Sequence, residues 1–74
     1  MTKEEFLYEF VEILQRDDPI SMDMRLKDIE EWDSLATMGL TAFLDRKCNK
    51  KVSFDQLKKM EKVQDVAIAA GVEL

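Results

Sequence analysis

The sequence has no histidine and only one cysteine, one proline and two glycines among its 74 residues. Without histidine, no serine and no cysteine can be paired with the imidazole base that most nucleophilic enzymes use. The single Cys48 excludes an internal disulfide, and the residue spacings of structural zinc sites are missing. The fold must therefore be held together by packed apolar side chains.

Long hydrophobic runs are also missing. No stretch reaches the ~18 apolar residues that a membrane-spanning helix needs, and the first ten residues are acidic and periodic, unlike a signal peptide. Hydrophobic residues still make up 46% of the chain, which is enough for one small core. We expect a single domain over residues 1–74 that is cytoplasmic and monomeric, without stable membrane insertion.

Charge is divided unevenly between the two halves of the chain. Residues 1–33 hold eleven acidic and four basic side chains, a net charge of −7, whereas residues 34–74 hold five acidic and seven basic ones, a net charge of +2. An acidic chain repels phosphate backbones, so we expect no nucleic acid partner and favour basic protein surfaces. The alternative is that the charges only keep a small protein in solution.

The first predicted helix starts at Thr2, which forms a capping box with Glu5. An apolar stripe at helical spacing follows, made of Phe6, Leu7, Phe10, Val11, Ile13 and Leu14. The helix should end near Arg16, because Pro19 pushes its predecessor out of helical geometry.

Residues 17–33 form a connection long enough, in so small a domain, to indicate a function. Its apolar residues are expected to anchor it to the helices, and they are Ile20, Met22, Leu26 and Ile29. A short helical turn is expected over residues 26–31.

The second helix is predicted from Ser34 to Cys48, with Asp33 or Ser34 as its cap. Gly39 inside it costs about 1 kcal/mol relative to alanine, which indicates either close approach of another backbone or tolerance of flexibility.

A third, short helix is predicted from Phe54 to about Met60, with Ser53 and Gln56 at capping-box spacing. The fourth is predicted from Val63 to Ala70, ending at Gly71. Its buried stripe should consist of small side chains, namely Val63, Val66, Ala67 and Ala70. Together these patterns predict an all-α fold, a small irregular four-helix bundle with a long loop between its first two helices and a short third helix.

The triplet Asp33, Ser34 and Leu35, placed near the middle of an all-helical chain, resembles the acyl carrier protein family. The similarity covers essentially the whole length, from the first amphipathic helix to the segment 63–66 that opens the last helix. It implies that Ser34 carries a 4′-phosphopantetheine arm, transferred from coenzyme A by a phosphopantetheinyl transferase. In the family the preceding aspartate, here Asp33, helps to position the metal-bound coenzyme.

The arm's thiol would hold an acyl or aminoacyl group as a thioester and present it to loading and accepting enzymes. The chain would then be a non-catalytic carrier. The alternative interpretation of Ser34 is a plain N-cap. Leu35 is expected to contribute both to the core and to the rim that partners touch.

Several positions depart from the family pattern. Many members have glycine two residues before the aspartate, where this chain has Glu31, and Trp32 follows it. The indole is expected either to pack beside the root of the arm or to fix the loop to the bundle. The turn after Ser34 is neutral, whereas fatty-acid carriers usually place acidic residues there. The helix then becomes basic toward its end, at Arg46, Lys47, Lys50 and Lys51.

Acidity is concentrated before the serine instead, so docking is expected to be steered from the loop side. The candidate partner-binding residues are Glu30, Glu31, Trp32 and Met38. These departures favour a specialised carrier over the general fatty-acid synthesis carrier.

The region between helices two and three is where family members can shelter an acyl chain. Phe43 and Phe54 are expected to fill that space, which favours a short or polar cargo; ordinary core packing is the alternative. Cys48 is expected to be a packed thiol. A second function class stays open, an unmodified helical interaction or adaptor module with an acidic docking face.

Overall fold

Four α-helices and no β-strand make up the computed structural model, which describes all 74 residues. The helices are α1 (Lys3–Leu14), α2 (Ser34–Lys47), α3 (Phe54–Lys58) and α4 (Val63–Ala69), with a 3₁₀ turn at Leu26–Asp28. The predicted all-α bundle with a long first loop and a short third helix is confirmed. No helix in it has the length and apolar character needed to cross a membrane.

The capping box that begins α1 is present as predicted. The Glu5 N–H donates to the Thr2 hydroxyl at 3.1 Å, and the Thr2 N–H donates to Glu5 Oε1 at 3.0 Å. The helix ends two residues before the predicted Arg16, because Gln15 takes the left-handed conformation with φ 55°. Its N–H then bonds back to Glu12 and Val11, which closes the last turn.

The long loop is hydrogen-bonded to the segment where α3 is connected to α4. The Leu26 N–H donates to the Glu61 carbonyl at 2.8 Å, and the Val63 N–H donates to the Met24 carbonyl at 3.0 Å. Ile20, Leu26 and Ile29 are buried and Met22 is half-buried, so the predicted anchors hold. The predicted helical turn is the 3₁₀ turn, which is shorter than residues 26–31.

The core lies between α1, α2 and the shorter helices. Its most completely buried side chains come from every α-helix and the loop, namely Phe6, Phe10, Leu26, Leu40, Leu44, Leu57, Val63 and Val66. α1 lies against α2 at Gly39, where a Cβ would meet Ile13 Cγ2 at 3.0 Å. The close neighbour of this glycine is thus the Ile13 side chain of α1, and not another backbone, which was one of the two explanations that the sequence left open.

The last two helices are each slightly shorter than predicted. α3 stops at Lys58 because the Lys59 and Met60 N–H groups bond three residues back, to Gln56 and Leu57, and this tightens the final turn. Val63, Val66, Ala67 and Ala70 are all buried, as predicted for the small-residue stripe of α4. Gly71 has φ 82°, the left-handed conformation expected after this helix.

Candidate functional site

Asp33 is the cap that starts α2. It is extended, with φ −127° and ψ −172°, and its Oδ1 accepts a hydrogen bond from the Ala36 N–H at 2.9 Å. Its carbonyl accepts from the Thr37 hydroxyl at 2.8 Å, and Thr37 is buried. Asp33 rather than Ser34 therefore caps the helix, which resolves the choice that the sequence left open.

Ser34 is the first residue of α2, and it is exposed. Its hydroxyl makes no hydrogen bond to any other residue. The other two serines are engaged: Ser21 donates to Asp23 at 2.6 Å, and Ser53 accepts from the Gln56 N–H at 3.1 Å. Ser34 is thus the one serine whose hydroxyl is both exposed and free of hydrogen bonds to other residues.

Two large apolar side chains stand exposed beside Ser34. Leu35 is 78% exposed and Met38 is 61% exposed. The expectation that Leu35 contributes to the core is wrong, because the face of α2 that turns inward carries Ala36, Thr37 and Leu40. Since Met38 follows Ser34 by four residues, the two lie on the same face of the helix.

Trp32 holds the loop against α1. Its ring is half-buried and stacks on the ring of Phe10, with centroids 5.7 Å apart and planes inclined by 18°. Phe10 itself is fully buried. Of the two roles expected for the indole, this contact supports fixing the loop to the bundle, immediately before the helix that bears Ser34.

The acids before the serine are not equally available to a partner. Glu31 accepts a hydrogen bond from Arg16 at 2.7 Å, and this bond lowers the pKa of the Glu31 carboxyl below its ordinary value. Arg16 follows the end of α1, so the ion pair is a second tie between the loop and that helix. Asp28 and Glu30 are exposed and form no ion pair, so they are the free acids in the part of the loop that leads to Ser34.

An open groove of about 520 Å³ runs between α2 and α3. It is lined by Met38, Thr41, Ala42, Val52 and Phe54, with Asp45 and Lys51 among its polar residues. It begins one helical turn after Ser34. Thr41 and Ala42 were not singled out from the sequence, although they follow Ser34 by seven and eight residues, the spacing of one helix face.

Phe43 does not lie in this groove, so the expectation that it fills the space between helices two and three is wrong. Its ring is 7% exposed and lies against Phe6 of α1, with centroids 6.5 Å apart. Helical phase explains the difference, because Phe43 follows Leu40 by three residues and shares the face of α2 that packs on the core. Phe54, by contrast, does line the groove.

Cys48 is half-buried at the end of α2, where burial raises the pKa of its thiol. It packs against the core. The packed thiol that the sequence predicts is what the structure contains.

Comparison with known proteins adds no relative to this description. No family model matches the chain. No curated protein and no solved structure matches it either. The function is therefore inferred from the residues, their geometry and the resemblance at Asp33, Ser34 and Leu35.

Proposed function

We propose that this chain is a carrier protein that holds an acyl or aminoacyl group as a thioester on a 4′-phosphopantetheine arm attached to Ser34. The observation that carries the proposal is the exposed Ser34 hydroxyl at the start of α2, left without a hydrogen bond because Asp33 caps the helix. The resemblance of the Asp33, Ser34 and Leu35 triplet to acyl carrier proteins, in an all-helical chain, supports the same conclusion.

The residues around Ser34 fit a phosphodiester. The Ser34 oxygen would form a bond to the phosphorus next to the pantetheine of coenzyme A, the P–O bond of the pyrophosphate would break, and adenosine 3′,5′-bisphosphate would leave. The serine proton would pass to a base on the transferase. Ser34 and Leu35 are the first residues of α2, where N–H groups have no partner within the helix and favour an adjacent anion.

Asp33 can take part in the transfer of the phosphopantetheine while it remains the N-cap of α2. Only Oδ1 accepts the Ala36 N–H, which leaves Oδ2 to face a metal ion held by the coenzyme, the role that the resemblance implies. When attached, the arm supplies a thiol on a long flexible chain. The protein supplies the fixed position of Ser34.

Partner enzymes would approach the face of α2 that carries Ser34. Leu35 and Met38 offer exposed apolar contacts there, and Glu30 offers a free carboxylate on the adjoining loop. Trp32 and Glu31, which contact Phe10 and Arg16, would act mainly by holding that loop. The neutral first turn of α2 favours dedicated loading and accepting enzymes over the general fatty-acid machinery.

The cargo is proposed to be short or polar. The groove beside Ser34 is open to solvent and has Asp45 and Lys51 on its lining, so it does not enclose a long apolar chain. Phe43 packs on Phe6 and takes no part in this restriction. The proposed setting is the cytoplasm, where the monomeric carrier would serve lipid or specialised secondary biosynthesis.

Intact mass spectrometry after incubation with coenzyme A, Mg²⁺ and a broad-specificity phosphopantetheinyl transferase tests the attachment. We expect the wild-type chain to gain the mass of one phosphopantetheine and Ser34→Ala to gain none. Ser21→Ala and Ser53→Ala are matched controls, since they remove the other two hydroxyls of the same type, and both should still be modified.

No mass gain with several transferases would sink the carrier proposal. It would favour the second candidate, an unmodified adaptor module, for which the exposed Leu35 and Met38 beside acidic Glu30 are the supporting observation. A mass gain that persists in Ser34→Ala would place the attachment at another residue.

A further inference from the structure

A strongly basic depression lies where the long loop meets the connection between α3 and α4. Its lining includes five basic side chains and a single acid, namely Arg25, Lys27, Lys58, Lys59, Lys62 and Glu61. Its volume of about 500 Å³ falls in the size range of small-ligand sites. It shares no lining residue with the groove beside Ser34, so the proposed carrier function does not use it.

The fold brings these charges together from two distant segments. Residues 22–26 and 61–64 are joined by three backbone hydrogen bonds, in which the Leu26, Val63 and Gln64 N–H groups donate at 2.8, 3.0 and 2.9 Å. Arg25 and Lys62 face each other in an antiparallel bridge. Arg25 and Lys62 are thus held on a hydrogen-bonded backbone, and the other three cations lie within four residues of one of them. This reduces the ordering that a ligand would have to impose.

None of the five cations of this cluster forms an ion pair within the chain. The two ion pairs of the protein, Arg16 with Glu31 and Lys51 with Asp45, involve none of the five cations. The nearby Asp65 carboxylate instead accepts from the Glu61 and Lys62 N–H groups.

Two weaker contacts complete the surroundings. Lys58 lies over the Phe54 ring, 5.2 Å from its centroid. The pKa of Asp23 is lowered mainly by a hydrogen bond from Ser21 and to a lesser degree by Lys62. Five cations therefore share one depression in a chain whose net charge is −5. A cluster of like charges without ion-pair partners is locally unfavourable, and such arrangements are typical of functional sites.

We infer that the basic depression binds a compact anion that bears two or more phosphate groups. Lysine ammonium groups act as point charges for phosphate oxygens, and the guanidinium of Arg25 can donate to two of them at once. Only one apolar residue, Met60, lines the site, so the ligand must be recognised by charge. The concave shape suits a compact group better than a flat acidic protein surface.

Titration of the ¹⁵N-labelled full chain with inorganic pyrophosphate, followed by two-dimensional NMR, tests this site. We expect saturable shifts concentrated in residues 25–27 and 58–62, with weaker binding as salt rises. The double variant Lys27→Gln, Lys59→Gln should bind about fivefold more weakly, since it removes two exposed cations. The control Lys50→Gln, Lys51→Gln changes the net charge equally but lies outside the depression, and its affinity should stay within about twofold.

Three results would overturn the inference: no saturable shift, shifts spread over other surfaces, or equal weakening in both double variants. An oligoglutamate peptide provides the competing arm, and tighter binding of that peptide than of pyrophosphate would assign the site to an acidic protein and reject the phosphate ligand. If Lys27→Gln, Lys59→Gln disturbs the spectrum as a whole, Arg25→Gln replaces it. Ser34→Ala should bind pyrophosphate like the wild type, so the mass experiment and this one can fail independently.

Discussion

At the start of α3, Ser53 is the N-cap, and its hydroxyl is occupied by the Gln56 N–H while Gln56 bonds back in a capping box. At the start of α2 the serine stands one position later. There Asp33 provides the cap, and the Ser34 hydroxyl faces solvent with no partner. A shift of one residue relative to the helix start separates a structural serine from one available for chemistry.

The two helix starts also differ in how they are held. α3 begins with a local capping box, no aromatic stack ties the segment before it to another helix, and the ion pair of that segment, Lys51 with Asp45, is exposed. The start of α2 follows a loop that is tied to α1 twice, through the Trp32 stack on Phe10 and the Arg16 pair with Glu31. The helix start that bears the exposed Ser34 is the one whose preceding loop is held by a ring stack and a part-buried ion pair.

Removal of the Trp32 indole should have the largest effect on the stability of the loop before α2. Trp32→Ala is expected to lower the free energy of unfolding by about 2 kcal/mol, less than for a fully buried tryptophan because the ring is half-buried. Urea denaturation measures the loss. Tyr8→Ala is the matched control, since that ring is 64% exposed on α1 and its loss should change stability by less than about 0.5 kcal/mol. Equal losses in the two variants would mean that the stack does not hold the loop.

Alanine substitutions at the two helix starts separate the roles of Asp33, Ser34 and Ser53. Asp33→Ala and Ser53→Ala should each cost about 1 kcal/mol, because each removes an N-cap acceptor. Ser34→Ala should change stability by less than about 0.3 kcal/mol, since its hydroxyl bonds to nothing in the fold. The same urea measurements decide the point. A cost for Ser34→Ala as large as that for Ser53→Ala would contradict the assignment of Asp33 as the cap.

The smallest expected effect is the loss of stability at acid pH that comes from protonation of Glu31. The Arg16 hydrogen bond keeps the pKa of Glu31 below its ordinary value of 4.5 in the folded state. The stability that Glu31 contributes is therefore present above that value and is lost as the pH falls through the lowered pKa. Thermal melts from pH 7 to pH 3 should show a smaller acid-induced loss for Glu31→Gln than for the wild type. Glu30→Gln, which removes an unpaired exposed acid, is the control and should follow the wild type.

Features with a local cause were predictable from the sequence. The capping boxes at Thr2 and Ser53 depend on residues three positions apart, and both appear where the spacing places them. The left-handed Gly71 after α4 follows from the same short-range reasoning. The position of Ser34 at the start of α2 was predictable for this reason as well.

Features that depend on how the helices and loops pack against one another were not predictable. Helical spacing identified Phe43 as apolar, but it does not say that the ring meets Phe6 rather than the α2–α3 groove. Leu35 also belongs to an apolar pattern and yet faces solvent, because no element covers that side of α2. The basic depression joins residues more than thirty positions apart, so no window of sequence contains it.

The half-buried Cys48 bears on how long a cargo would survive. A thioester is lost most readily to a competing thiolate, and the nearest competitor for any carrier is a cysteine in its own chain. Because burial raises the pKa of Cys48, its thiol stays protonated at neutral pH and is a poor nucleophile. With no other cysteine in the sequence, an acyl group on the Ser34 arm would meet no reactive thiolate within its own chain.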